Sequence, residues 1–342
     1  MLLFLLLFLY FFTFPVFCEI KWENKLSIEL QNDNTYESDD PDAEINDLYT
    51  TIESGMILSF SDAFSLQNIL MIEPVLDPEP GKDRIFDDTA LYVEEIQFNY
   101  KKDSFVLFAG QFNPSFGWAW EKNAGVYGTD LCEDYEMTDK IGAGASVKLG
   151  PDSKHRLTFN TFFADTSFLS DTTHKDTEAL SKEDGGVSNT EDFSSYSISL
   201  EGEIIEHFGY QLSHRILAAG KGDKNDEKGY SASLEYSLEF SKDYRLIPFV
   251  EYASFDSYEG SENDAEYLTG SLSLEISSFN ISAAYTSRNF EGKDAISDYQ
   301  YQFSAGYAFD SGFSADLGWK EAEKSEIKSC SLGLIVSYCF KI

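Results

Sequence analysis

The sequence predicts an all-β chain: a transmembrane antiparallel β-barrel of about sixteen strands, with short turns at one end and long loops at the other. Three observations predict it. Apolar and polar residues alternate with period two in segment after segment, as in strands with one greasy and one polar face. The connections alternate between short and long, as they must when antiparallel strands cross a layer back and forth. Only 42% of the residues are hydrophobic, yet Phe (29) and Tyr (20) are abundant, which suits a polar lumen ringed by outward aromatics.

The chain opens on Met1–Phe17, almost all Leu and Phe, interrupted by Thr13 and Pro15, with charge beginning at Glu19. Such a run reads as a signal peptide, residues 1–18, cleaved after Cys18. The free amino terminus is its only positive charge. A lipoprotein signal with Cys18 acylated is the rival, against which the bulky Phe17 argues. Residues 19–342 then form one exported domain, with no Pro-, Ser- or Gly-rich linker and no other run long enough for a membrane helix.

Net charge is −35, from 60 acidic and 25 basic residues, and this excludes nucleic acid as a partner, since phosphates need a basic surface. Four cysteines make no disulfide framework and no metal spacing. Cys330 and Cys339 lie roughly 30 Å apart along one strand and cannot pair. A Cys132–Cys330 bridge is conceivable.

The strands follow in order. Ile20–Gln31 sets Trp22, Leu26, Ile28 and Leu30 on one face, and Leu48–Phe60 does so with Ile52, Met56 and Leu58. Leu66–Leu76, Ala90–Tyr100, Phe105–Phe112, Ile141–Leu149, Leu157–Asp165, Tyr196–Ile204 and Phe208–Ala218 come next. Tyr230–Phe240 is among the cleanest, with Tyr230, Ala232, Leu234, Tyr236 and Leu238 against Ser231, Ser233, Glu235 and Ser237. Leu246–Ser254, Leu268–Ile276, Phe279–Tyr285, Tyr299–Phe309 and Phe313–Trp319 precede the closing strand. Short turns such as Lys101–Ser104, Gly150–Lys154 and Ser277–Ser278 alternate with acidic segments such as Asn32–Asp47, Asp77–Asp88 and Thr166–Ser194. The alternation places the turns on the periplasmic side and the loops outside. A propeller or solenoid would carry a fixed repeat, and none is visible.

The last strand, Cys330–Ile342, ends on alternating Val336, Tyr338, Phe340 and Ile342. It resembles the C-terminal signal of bacterial outer-membrane β-barrels, with Ile where that family most often has Phe. The resemblance implies the outer membrane of a Gram-negative bacterium, contact with its lipid, recognition by the barrel-assembly machinery, and closure of the last strand on the first. It also brings the homotrimer of many porins as an expectation.

After the fifth strand runs Asn113–Asp139, carrying Glu121, Asp130, Glu133, Asp134, Glu136 and Asp139 against Lys122 alone. Its position resembles the loop that folds into the pore of sixteen-stranded porins. By that resemblance, residues 113–139 form a pore constriction, lined by those carboxylates and faced by the inward-parity bases Lys148, Arg156, Arg215 and Arg245. Carboxylates there would raise the local cation concentration, giving a passive, cation-preferring channel for small hydrophilic solutes that needs no cofactor. The alternative is an exposed loop whose charges only solvate it. Its entry, Gly110–Gly117 (G-Q-F-N-P-S-F-G), is similar to a stretch of the phosphate-selective porin family; the anion selectivity of that family does not carry over to so acidic a chain.

Two other classes are open to an outer-membrane barrel. Outer-membrane phospholipases use a Ser and a His on the outer face. His214 has outward parity, but the adjacent Ser213 points inward, while His155, His174 and His207 fall in turns or loops, so no catalytic set is visible. A surface antigen or adhesin using the barrel as a base stays open. No D-x-D-x-D-G spacing marks a metal loop.

Overall fold

The structure is a computed structural model that describes residues 20–173, 180–292 and 295–341. The expected signal peptide, His174 and Ile342 lie outside the described residues. The strands are β1 Lys21–Ser38, β2 Asn46–Ser59, β3 Phe64–Pro74, β4 Arg84–Ile85, β5 Thr89–Lys102, β6 Phe105–Phe112, β7 Lys140–Leu149, β8 His155–Ala164 and β9 Ser195–Ile205. They continue as β10 Phe208–Leu217, β11 Glu227–Tyr236, β12 Leu238–Ser241, β13 Tyr244–Asp256, β14 Asp264–Ile276, β15 Phe279–Glu291, β16 Ile296–Ala308, β17 Phe313–Lys324 and β18 Ile327–Lys341. β11 and β12 are two halves of one stave broken at Ser237, and β4 is a two-residue piece within a loop that pairs parallel with β2. The rest makes a closed sixteen-strand antiparallel barrel.

Closure falls where the chain ends meet. Leu26, Ile28 and Leu30 of β1 lie opposite Phe340, Tyr338 and Val336 of β18, so the outward apolar rows of the first and last strands join. Register is thus specified by the pattern, since a one-residue slip would turn every apolar side chain inward. Along β16, Tyr301 and Phe303 are exposed on the outer face while Gln300, Gln302 and Ser304 are buried within. Outward rings gather in two belts. Phe64–Tyr100, Phe208–Tyr236, Phe279–Tyr307 and Phe313–Tyr338 pack at the short-turn end. Tyr285–Tyr301, His214–Tyr230 and the Trp319–Tyr36 hydrogen bond lie towards the loop end. Paired aromatic girdles are the mark of a barrel standing in a bilayer.

The strands run further than their apolar stretches. Asn32–Asp47, expected as a loop, is mostly ladder: Asp33 pairs with Asp47 and Asn34 with Asn46, and only residues 39–45 connect them. β15 and β17 likewise continue to Glu291 and Lys324. Backbone pairing needs no greasy side chain, so the sheet rises beyond the apolar band on polar residues. The alternation of short and long connections is also not strict. β17 and β18 are joined by Ser325 and Glu326 alone, both at positive φ, in the tight reversal a right-twisted hairpin favours.

Cys132, Cys330 and Cys339 are free, so the Cys132–Cys330 bridge is not formed. The barrel wall separates them. Cys132 is fully buried in the lumen loop against Thr269, whereas Cys330 shares the outward parity of exposed Leu332 and Leu334.

Candidate functional site

Residues 113–139 leave the end of β6 and lie inside the barrel, bonded to inward side chains along half its circumference. Gly110 to Gly117 sets that course. At Gly110, with φ +146°, a Cβ would strike the carbonyl of Ile96 at 2.0 Å, so only glycine lets β6 approach β5 there. Asn113 donates to Glu94, and its backbone N–H to Glu95, turning the chain inward from β5. Ser115 accepts from Gln211 of β10 at 3.1 Å. Phe116, Trp118 and Tyr135 then pack with Phe255, Tyr258 and Tyr267 in an apolar cluster within an otherwise polar lumen.

Beyond the cluster the loop runs along the wall. Lys122 pairs with Glu235 at 2.7 Å, the N–H of Val126 donates to Ser304, and Gln300 donates to the carbonyl of Tyr127 at 2.6 Å. The Tyr127 hydroxyl reaches Asp33 of β1 at 2.9 Å, the far end of the arc. On the return, Asp130 pairs with Lys320 at 2.7 Å and Asp134 with Arg288 at 2.5 Å.

The expected site residues therefore divide. Glu121, Lys148, Arg156 and Arg245 line one cavity of about 530 Å³ on the short-turn side of the loop, together with Glu201, Glu203, Glu235 and Glu239. Lys148 and Arg156 are direct cross-strand neighbours there, and Arg156 also pairs with Glu201 at 3.1 Å. Arg215 is elsewhere. It is buried, paired with Glu227 at 2.7 Å, bonded to the Tyr135 carbonyl and stacked on Phe116 and Phe255. It faces inward, but the loop covers it and its charge is already matched. Among the described residues, Lys320 and Arg288 are wall bases that form ion pairs with loop carboxylates. Parity could have found both; only the fold shows which loop residue each one meets.

Facing the loop from β1 to β5 is an acidic wall that the sequence reading passed over. Glu29 lies within electrostatic reach of Asp33, Glu73 and Asp316, and Glu94 within reach of Glu73, Glu95 and Asp139. Glu136 joins this line from the loop, near Glu94, Glu121 and Glu133, and burial with those neighbours pushes its carboxyl up to about 8. Glu133 is also raised, by burial and then by Asp130. Near the loop-side mouth, Asp33, Asp40, Asp42, Asp47 and Lys320 line a second cavity of about 380 Å³. Like-charged walls facing one another across a narrow bore concentrate counter-ions.

His214 lies in the outer aromatic belt, stacked on Tyr230, with Nδ1 2.9 Å from the Gly229 carbonyl. His155, placed in a turn by the sequence reading, begins β8 and meets the Tyr210 hydroxyl at 3.1 Å. Among the described residues, no group of His, Cys, Asp and Glu is arranged to hold a metal.

No family model matches the chain, nor does any curated protein. Solved structures do. DcaP, an outer membrane channel of Acinetobacter baumannii, is similar with a TM-score of 0.59 at 10% identity, over 94% of this chain and 97% of that one. OccAB3 of the same organism gives 0.58 at 11%, over 94% and 100%. OpdK of Pseudomonas aeruginosa, solved with vanillate, gives 0.57 at 9%, over 94% and 99%. The shared feature at these identities is the fold: the closed antiparallel barrel of bacterial outer-membrane channels.

Proposed function

We propose that the protein is a porin: a water-filled, passive and cation-preferring diffusion channel for small hydrophilic solutes in the outer membrane of a Gram-negative bacterium. The observation that carries the preference is the acidic wall of Glu29, Asp33, Glu73, Glu94 and Glu95, which Glu136 of the loop meets at Glu94. Constriction then lies between the loop and β1–β5, and a solute passing it meets carboxylates on both sides. Lys148, Arg156 and Arg245, mixed with glutamates, make the turn-side vestibule close to neutral.

In the same reading residues 1–18 are a leader removed at export, and the barrel-assembly machinery recognises the Val336, Tyr338, Phe340 and Ile342 row. The outer face meets lipid, and the homotrimer rests on the porin resemblance. The test is planar-bilayer conductance of the refolded protein under a KCl gradient. Stepwise currents with a reversal potential of cation sign support the reading. Folded protein that passes no current would replace it with a closed barrel serving as a surface antigen.

A further inference from the structure

The loop inside the lumen is tied at two places sixteen or seventeen residues apart by one carboxylate on the opposite wall. Glu251 of β13 is 1% exposed. Its Oε2 accepts from the backbone N–H of Trp118 at 2.5 Å, from that of Ala119 at 3.1 Å and from the Ser233 hydroxyl at 2.5 Å. Its Oε1 accepts from the Tyr135 hydroxyl at 2.7 Å. Trp118 and Ala119 belong to the limb that enters the lumen and Tyr135 to the limb that leaves it. The entering limb also leaves room for the carboxylate, because at Gly117, with φ +73°, a Cβ would lie 2.8 Å from Oε1. Tyr135 packs with Phe116, Phe255 and Tyr267, so the knot is shielded from competing water.

We infer that Glu251 is a positioning residue for the channel: by joining both limbs of the loop to β13 it holds the Glu133–Glu136 edge at a fixed distance from the β1–β5 wall, and so sets the aperture. This rests on the porin reading for its consequence, but not for its structural content. The pairs Lys122–Glu235, Asp130–Lys320 and Asp134–Arg288 each fasten one limb at one point. Glu251 fastens the two limbs to each other.

Cys132 supplies a reporter. It precedes Tyr135 by three residues on the leaving limb, fully buried, with Sγ 3.5 Å from the Thr269 hydroxyl, and burial pushes its thiol up to about 12. Glu251→Ala, Glu251→Gln and wild type are refolded, checked for heat-modifiable migration, and labelled with a maleimide, with modification read by mass spectrometry at the Cys132 peptide. Local opening governs access to such a thiol, so labelling in Glu251→Ala rises by about tenfold or more, with larger and noisier single-channel currents. Glu251→Gln stays near wild type, because its amide oxygen still accepts from the two N–H groups and its NH₂ donates to the Tyr135 oxygen. Wild-type labelling in folded Glu251→Ala overturns the inference, as does faster labelling with unchanged conductance. If Glu251→Ala does not fold, Tyr135→Phe, which loses one of the four bonds, is read the same way, and unchanged labelling there overturns it. A wild-type barrel that conducts no ions removes the porin reading and leaves the thiol comparison standing.

Discussion

Arg215 shows why the type and parity of a residue do not yet define its role. Alternation along β10 puts it inside the barrel, but it is 3% exposed and sealed against Glu227, itself 1% exposed, beneath two aromatic rings. A buried ion pair resists loss of one partner far more than replacement of both, because the remaining charge stays out of water. Arg215→Ala therefore costs about 3–5 kcal/mol of stability in urea-dependent refolding. The double variant Arg215→Met with Glu227→Leu costs less than that single change; a double variant at least as unstable would mean that packing of the guanidinium, and not its charge, is what matters. Gly117 makes a backbone counterpart. Its left-handed conformation alone makes Gly117→Ala unfavourable by about 1–2 kcal/mol, and the approach of Glu251 adds to this. Refolding midpoints measure that loss, and an unchanged midpoint would show the loop free to move off Glu251.

In the loop between β6 and β7 the carboxylates are not equivalent. Asp130 and Asp134 are matched by Lys320 and Arg288, and Glu133 lies near Lys324 and Lys320, while Glu136 lies beside Glu94 of the acidic wall. Above pH 8, Glu136→Gln should lower cation-over-anion selectivity severalfold in reversal-potential measurements, whereas Asp134→Asn should chiefly loosen the loop. Equal effects from the two would place Asp134 in the current path. The pH dependence has a definite sign. Glu136, raised to about 8, is neutral below that pH and gains its negative charge above it, so cation selectivity grows as pH rises through about 8. Glu136→Gln abolishes that step, and a step that persists would assign it to another group. The acidic content of this loop was plain in the sequence. Its course was not, since contacts such as Tyr127 with Asp33 and Glu251 with Trp118 join residues 94 and 133 positions apart.

On the scale of the whole molecule, the outer face is the part that a bilayer tests. Phe303 lies midway along β16 between Tyr299 and Tyr307 and is exposed outward. In a barrel embedded in lipid, Phe303→Arg destabilises by roughly 2–4 kcal/mol when refolding is followed in liposomes, because a cation at mid-depth has no counter-charge. A neutral result would put the belt outside the hydrocarbon. The strand pattern and the outward apolar face were legible in the chain alone, because the two-residue period of a strand is a local property and a row of alternating aromatics has one stable placement; the joining of β18 to β1 came from the resemblance of the last strand to barrel C-termini. Only the tertiary structure decided that the strands outrun their apolar stretches, that Arg215 is spent in a buried pair, and that the acidic loop looks across at an acidic wall. Those outcomes depend on which side chains meet across the lumen, and neither period nor parity carries that distance.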